Sequence, residues 1–266
     1  MENGGIQDPA PWARAWERID ADFEGHLEEI RRFLRRPTVS ASDDDMLAGA
    51  EDVAALIEGA GGSAEILPTA GHPAVIGRIE GDGPGLLRYG MYDVQPADEP
   101  GWTSPPFAAA TADVPGAGPS LVARGAANSK GALAAFLLAL SSARRVSDLP
   151  AGISLLVDGE EELGSPNLPA VMAARPDNLA AEAAFDLDLT ADRRGVAEIY
   201  LGCKGIVSFV LRCAGGEWGG PVGRALHSSE GPVISSPAWS LVRALAALDD
   251  EARRGTLEGL PPGCPV

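Results

Sequence analysis

Two periodicities alternate along this chain, and together they limit what it can fold into. Short apolar runs at 64–67, 74–79, 85–89, 153–157, 183–189 and 198–201 are interleaved with longer stretches at 12–35, 43–59, 129–145 and 166–174. Apolar runs of roughly four to eight residues closed by turn residues read as strands, whereas recurrence every three or four positions reads as helix. In the first long stretch Trp16, Ile19, Phe23, Leu27, Ile30 and Leu34 form one stripe, ended by Pro37. Gly61 and Gly62 stop the second. Helices alternating with buried strands predict an α/β domain, a mixed and mostly parallel sheet flanked by helices.

The pattern changes after about residue 204. Residues 206–213 alternate and predict a strand of a different unit, 215–221 form a Gly-rich loop, and 237–249 predict a helix with Leu241, Leu245 and Leu248 on one face. One strand and one helix cannot bury their own apolar faces. The expected organisation is a first unit over 1–204 and a partial α+β unit over 205–266.

Charge narrows the partners. The chain has 21 Lys and Arg against 38 Asp and Glu, a formal net charge of −17. Such a surface repels phosphate backbones and anionic lipid, so neither nucleic acid nor a membrane is an expected partner. Cys203, Cys213 and Cys264 show no CxxC spacing, which argues against a cysteine zinc site or a disulfide framework. The start of the chain lacks a basic segment followed by an apolar run, and the apolar stretch at 131–140 is too short to span a bilayer. A cytoplasmic location is expected.

In open α/β sheets ligands collect beyond the carboxyl ends of the strands. Four turns there carry chemistry. YGMYDVQP at 89–96 places Asp93 past a strand end, where it serves either as a turn residue or in a site. ARGAANSKG at 123–131 enters a helix without the spacing of a phosphate loop, and Asn128 lies near its start. DGEEELGS at 158–165 sets four carboxylates within five residues, which repel one another unless a cation or water compensates. Adjacent glutamates permit one to bind a metal while its neighbour takes a proton from water. FDLD at 185–188 ends a strand in two acids.

In order, spacing and flanking words, these turns resemble the family of carnosine dipeptidases, aminoacylases, succinyl-diaminopimelate desuccinylases and glutamate carboxypeptidases, the dipeptidase branch above all. The resemblance starts at HLEEIRRFLRRPTVSAS (26–42) and runs through YLGCKGIVSF to ALHSSEGPVISSPAWSLVRAL, nearly the whole chain. It implies a catalytic α/β domain interrupted by a smaller lid and dimerisation domain. It also implies two zinc ions bridged by an aspartate and a water, with a glutamate taking the water's proton for attack on an amide carbonyl.

Carried over residue by residue, the resemblance puts the catalytic glutamate on Glu161 and a metal ligand on Glu162. A further metal ligand falls on Asp188, with Asp186 the alternative, and the lid histidine that reaches the substrate falls on His227. Asp93 is the aspartate that orients a zinc-binding histidine, but Met91 occupies the histidine position. Asn128 occupies the bridging-aspartate position. A thioether is a poor substitute for imidazole on zinc, and a neutral carboxamide for a shared carboxylate. The last catalytic segment, with its final histidine ligand, is expected to be absent. His26 and His72 have no motif around them, and structural roles are expected.

Three readings follow. One is a hydrolase of dipeptides or N-acyl amino acids with an impaired metal site. Another is a pseudoenzyme or binding subunit without zinc chemistry; under any reading a homodimer or a complementing chain that supplies the last segment is an expected partner. The third is a metal-independent acid/base enzyme using Glu161.

Overall fold

The computed structural model describes residues 10–42, 44–186, 202, 205, 209–224 and 226–253. The chain divides into two units, residues 1–199 and 200–266.

The first unit is built on a five-stranded sheet of order β1-β2-β6-β3-β7. Its strands are β1 (Ser63–Leu67), β2 (Ala74–Ile79), β3 (Leu86–Met91), β6 (Ile153–Asp158) and β7 (Ala183–Asp186). β1 and β2 pair antiparallel, as do β2 and β6, while β3 runs parallel to both β6 and β7. The sheet is therefore mixed, and its parallel part carries the chemistry-bearing turns. Every residue of β6 is buried, as expected of a central strand covered on both faces.

The alternation of side chains along β2 and β6 sorts them between two cores. Val75, Ile79, Ile153, Leu155 and Val157 join Phe33, Val53, Ile57, Leu133 and Leu137 on one face. These last come from α1 (Ala10–Leu34), α2 (Met46–Gly59) and α3 (Lys130–Arg144). Ala74, Ile76 and Leu156 point the other way and meet Val171 of α4 (Leu168–Ala174), with Leu179 of α5 (Pro176–Leu179) packed against them. A separate hairpin of β4 (Ala110–Val114) and β5 (Gly118–Val122) precedes α3; the sequence reading did not anticipate it.

Several expected boundaries hold to within a few residues. α2 ends where the glycines predict. Gly61 adopts φ 78°, and the amides of Gly61 and Gly62 close onto the carbonyls of Glu58 and Ile57, the paired bonds of a Schellman stop. The α1 stripe is only partly buried: Leu34 is sequestered, but Trp16 and Phe23 remain 65% and 54% exposed. The predicted strand at 206–213 is not seen in its described part. Residues 209–213 carry no strand, because no partner strand among the described residues offers their backbone groups a ladder. Residues 206–208 and the expected strand at 198–201 lie outside the described residues, as do 187–189 of the run that β7 begins.

Among the described residues of the second unit, a 3-10 turn, Ser228–Glu230, precedes α6 (Pro237–Arg253). No described helix is long and apolar enough to cross a membrane.

Candidate functional site

Parallel pairing brings the turns together. Met91 at the end of β3 lies in register with Asp158 at the end of β6, and Tyr89 with Asp186 of β7. The residues that follow β3 and β6 therefore emerge side by side at the carboxyl edge of the sheet, and the start of α3 meets them there. A cavity of about 90 Å³ results, lined by Tyr89, Gly90, Met91, Asn128, Ser129, Glu161 and Asp186.

Asp93 is fully buried and anchors this edge. Its carboxylate accepts the Ser40 hydroxyl at 2.8 Å and the backbone amides of Glu161 at 3.2 Å and Glu162 at 3.0 Å. Asp93 therefore grips the 3-10 turn Glu161–Leu163 from a neighbouring loop, and fixes where both glutamates start. Burial raises its pKa above the ordinary carboxylate value, and the nearby Asp158 adds to this, while the Ser40 hydroxyl and the two amides oppose the rise.

The acid turn is held from its other side too. The amide of Glu160 bonds Oδ1 of Asp158 at 3.1 Å, and Glu160 Oε2 accepts Nδ2 of Asn167 at 2.6 Å. Gln95 donates to Oε2 of Glu162 at 2.8 Å. Gly159 has no room for a side chain, since a Cβ there would lie 2.7 Å from the Pro73 carbonyl oxygen. Oδ2 of Asp158 is buried with no hydrogen-bond partner.

Asp186 closes the far wall. Its carboxylate accepts Nη1 of Arg88 at 3.1 Å, and the Arg88 guanidinium also lies 5.7 Å from the centre of the Phe136 ring. Asp188, the favoured metal position, lies outside the described residues, and so does the segment that follows it.

His72 and His26 take structural places. Nε2 of His72 meets the Ser40 carbonyl at 2.8 Å; a carbonyl can only accept, so this nitrogen donates and braces the residue that holds Asp93. His26 lies 3.3 Å from the Ser142 hydroxyl, in the groove between α1 and α3.

His227 belongs to the second unit. It lines a cavity of about 460 Å³ with Leu226, Ile234 and Trp239 among its walls. The Ser229 backbone amide donates to its Nδ1 at 3.2 Å, so the neutral ring carries its proton on Nε2 and presents a donor there.

Motif reading missed the residues that hold these groups. Ser40 lies in the PTVSAS word and Lys130 in the ANSKG word, but neither has a residue type that announces a site. Lys130 is fully buried: Nζ donates to the Arg36 carbonyl at 2.7 Å and the Thr38 hydroxyl at 3.1 Å, 4.5 Å from the centre of the Phe33 ring. Burial pulls its pKa from 10.5 down to about 7.

Residues 88–255 match the model of peptidase family M20/M25/M40. The chain belongs to that family. All of Met91, Asp93, Asn128, Glu161, Glu162, Asp188 and His227 lie within the matched segment. The Beta-Ala-His dipeptidase of Rattus norvegicus is 26% identical over 259 residues, covering 93% of this chain and 49% of the relative. The succinyl-diaminopimelate desuccinylase of Rhodospirillum centenum is 37% identical over 140 residues, covering 50% of this chain and 34% of the relative. Among solved structures, the M20 family metallo-carboxypeptidase Sso-CP2 from Sulfolobus solfataricus superposes with a TM-score of 0.65 at 28% identity, covering 83% of this chain and 49% of that one. Human carnosine dipeptidase 1 shares the fold, with a TM-score of 0.55 at 21% identity over 66% of this chain and 41% of that one. The chain thus spans half or less of the length of these relatives.

The resemblance of this M20 chain to zinc enzymes raises the question whether its residues suit zinc. A catalytic zinc is held by three protein ligands drawn from imidazole, thiolate and carboxylate. Among the described residues no group of three or more His, Cys, Asp or Glu could hold a metal ion. The cavity is lined by the thioether residue Met91 and the carboxamide residue Asn128 beside Glu161 and Asp186. The described donor set does not fit a catalytic zinc.

Proposed function

We propose that this chain is a dipeptidase-like M20 protein that keeps the family's small-ligand site but has an impaired two-metal centre. Residues 1–204 act as the first part of the catalytic domain and 205–266 as part of the lid. The ligand class is a small peptide or an N-acyl amino acid, as the names of the Beta-Ala-His dipeptidase and desuccinylase relatives suggest.

One observation carries this reading: Met91 and Asn128 line the same small cavity as Glu161 and Asp186. The two positions at which the resemblance expects a zinc histidine and a bridging aspartate thus sit together, and both side chains are neutral and weak donors for zinc. Bound zinc would polarise the scissile carbonyl and lower the pKa of an attacking water. The residues present serve a different part of the task. Asp93 fixes the acid turn, Glu161 stands at the cavity as the proton acceptor, and Glu162 is held by Gln95. His227, with its Nε2 donor, is the group that would meet a substrate oxygen. Exposed apolar side chains of the second unit, Phe209 and Trp239 among them, suit association with a second copy of the chain.

Zinc titration calorimetry on the purified chain, run beside a dipeptide hydrolysis assay, tests the proposal. Absence of zinc binding at micromolar concentration, together with retained binding of an N-acyl amino acid, is the expected result. Two tightly held zinc ions and rapid hydrolysis would overturn it.

A further inference from the structure

We infer that Lys130 is a positioning residue for this site. From the first turn of α3 it holds the 36–40 segment, and that segment sets where Asp93 and the acid turn lie. The inference rests on the reading of Asp93, Asn128, Glu161 and Glu162 as one ligand site.

The chain of contacts runs in one direction. Lys130 Nζ donates to the Arg36 carbonyl at 2.7 Å and to Oγ1 of Thr38 at 3.1 Å. The Thr38 hydroxyl spends its own proton on the Tyr92 carbonyl at 2.6 Å, so toward Lys130 it can only accept. Lys130 is thus an obligatory donor, and each bond in such a chain polarises the next. The Thr38 carbonyl also receives the Val94 amide at 2.9 Å, and Ser40 donates to Asp93 at 2.8 Å. The 36–40 segment therefore grips residues 92, 93 and 94 in succession. Asp93 in turn holds the amides of Glu161 and Glu162.

Packing reinforces the arrangement. Thr38 and Lys130 are both fully buried, so a lost partner is not replaced by water. Gly125 lies against the lysine stem at φ 84°, and a Cβ there would come 3.2 Å from Cδ of Lys130 and 2.9 Å from Cγ1 of Val94. Asn128 is two residues before Lys130, on the turn that enters α3. One side chain thus links the turn bearing Asn128 to the loop bearing Asp93.

Amide hydrogen exchange followed by NMR tests this without any assumption about activity. Lys130→Met should speed exchange at Val94, Glu161 and Glu162 about tenfold or more, with Ile76 and Leu155 in the central strands unchanged. Thr38→Val, which cuts the chain at its middle, should give the same pattern, and the double variant should add little to either. As a control, Leu133→Ala should speed exchange in all of these amides together. If Lys130→Met and Thr38→Val also accelerate every amide equally, Lys130 is an ordinary core residue and the inference fails. Calorimetry with an N-acyl amino acid separates the two readings. Loss of affinity in Lys130→Met alongside the local exchange pattern supports both. The local pattern with unchanged affinity keeps the positioning role and overturns the reading of these residues as one ligand site.

Discussion

Met91 and Asp158 stand opposite one another in the parallel pairing of β3 with β6. That register places the position where the family resemblance expects a zinc histidine directly beside the strand that launches the acid turn. On the proposed reading, in which Met91 and Asn128 stand where metal donors would, this register leads to a direct prediction. Met91→His combined with Asn128→Asp should tighten zinc binding by on the order of 100-fold, because imidazole and carboxylate replace a thioether and a neutral carboxamide. Zinc titration calorimetry reads the outcome. An unchanged affinity would mean that these positions do not face a metal.

A second prediction concerns how tightly the acid turn is packed. A Cβ on Gly159 would lie 2.7 Å from both the Pro73 carbonyl oxygen and Cζ of Tyr92. The Tyr92 hydroxyl is itself bonded to that carbonyl at 2.7 Å, so neither group can move independently. Gly159→Ala should therefore cost about 1–3 kcal/mol in urea unfolding. Tyr92→Phe alone leaves the carbonyl without its partner and should cost about 1–2 kcal/mol. In the double variant the new methyl takes the space of the missing hydroxyl. The combined cost should then fall below the sum of the two by roughly 0.5 kcal/mol or more. Strict additivity would place Gly159 outside contact with Tyr92.

The layered fold was legible because periodicity reports burial directly. The mostly apolar run of β6, broken only by Ser154 before Asp158, announced a buried strand, and the paired glycines at 61–62 announced the end of α2. The hairpin of β4 and β5 gave no such signal. Thr111 and Asp113 alternate with half-buried neighbours, but the composition of the segment is that of a loop. The candidate site was flagged in the sequence where the residue type can carry chemistry, as with the carboxylates Asp93, Glu161 and Glu162. It was not legible at Thr38, Ser40 and Lys130. Their roles depend on which atom they meet across 50 or more positions of sequence, and a hydroxyl or an ammonium in isolation does not specify a partner. The Phe209–Cys213 segment shows the opposite error. Its apolar residues Phe209, Val210 and Leu211 suggested a strand, but among the described residues nothing pairs with it.

The third prediction follows from Asp93. Burial raises its pKa in the folded protein above the ordinary value of 3.8, the hydrogen bonds from Ser40, Glu161 and Glu162 notwithstanding. The native state then holds this proton more tightly than the unfolded chain does. Between 3.8 and the raised value the folded protein binds more protons, so the contribution of Asp93 to stability is complete below pH 3.8 and declines as pH rises through the native pKa. Asp93→Asn removes the titration and sets an NH₂ group where two backbone amides already point. The stability difference between the wild-type chain and Asp93→Asn should therefore be largest at acid pH and shrink toward neutrality. Urea unfolding of both proteins across this range measures it, and their other carboxylates cancel in the difference. A difference that grows with pH would show the hydrogen bonds outweighing burial, with Asp93 serving as a stabilised anion.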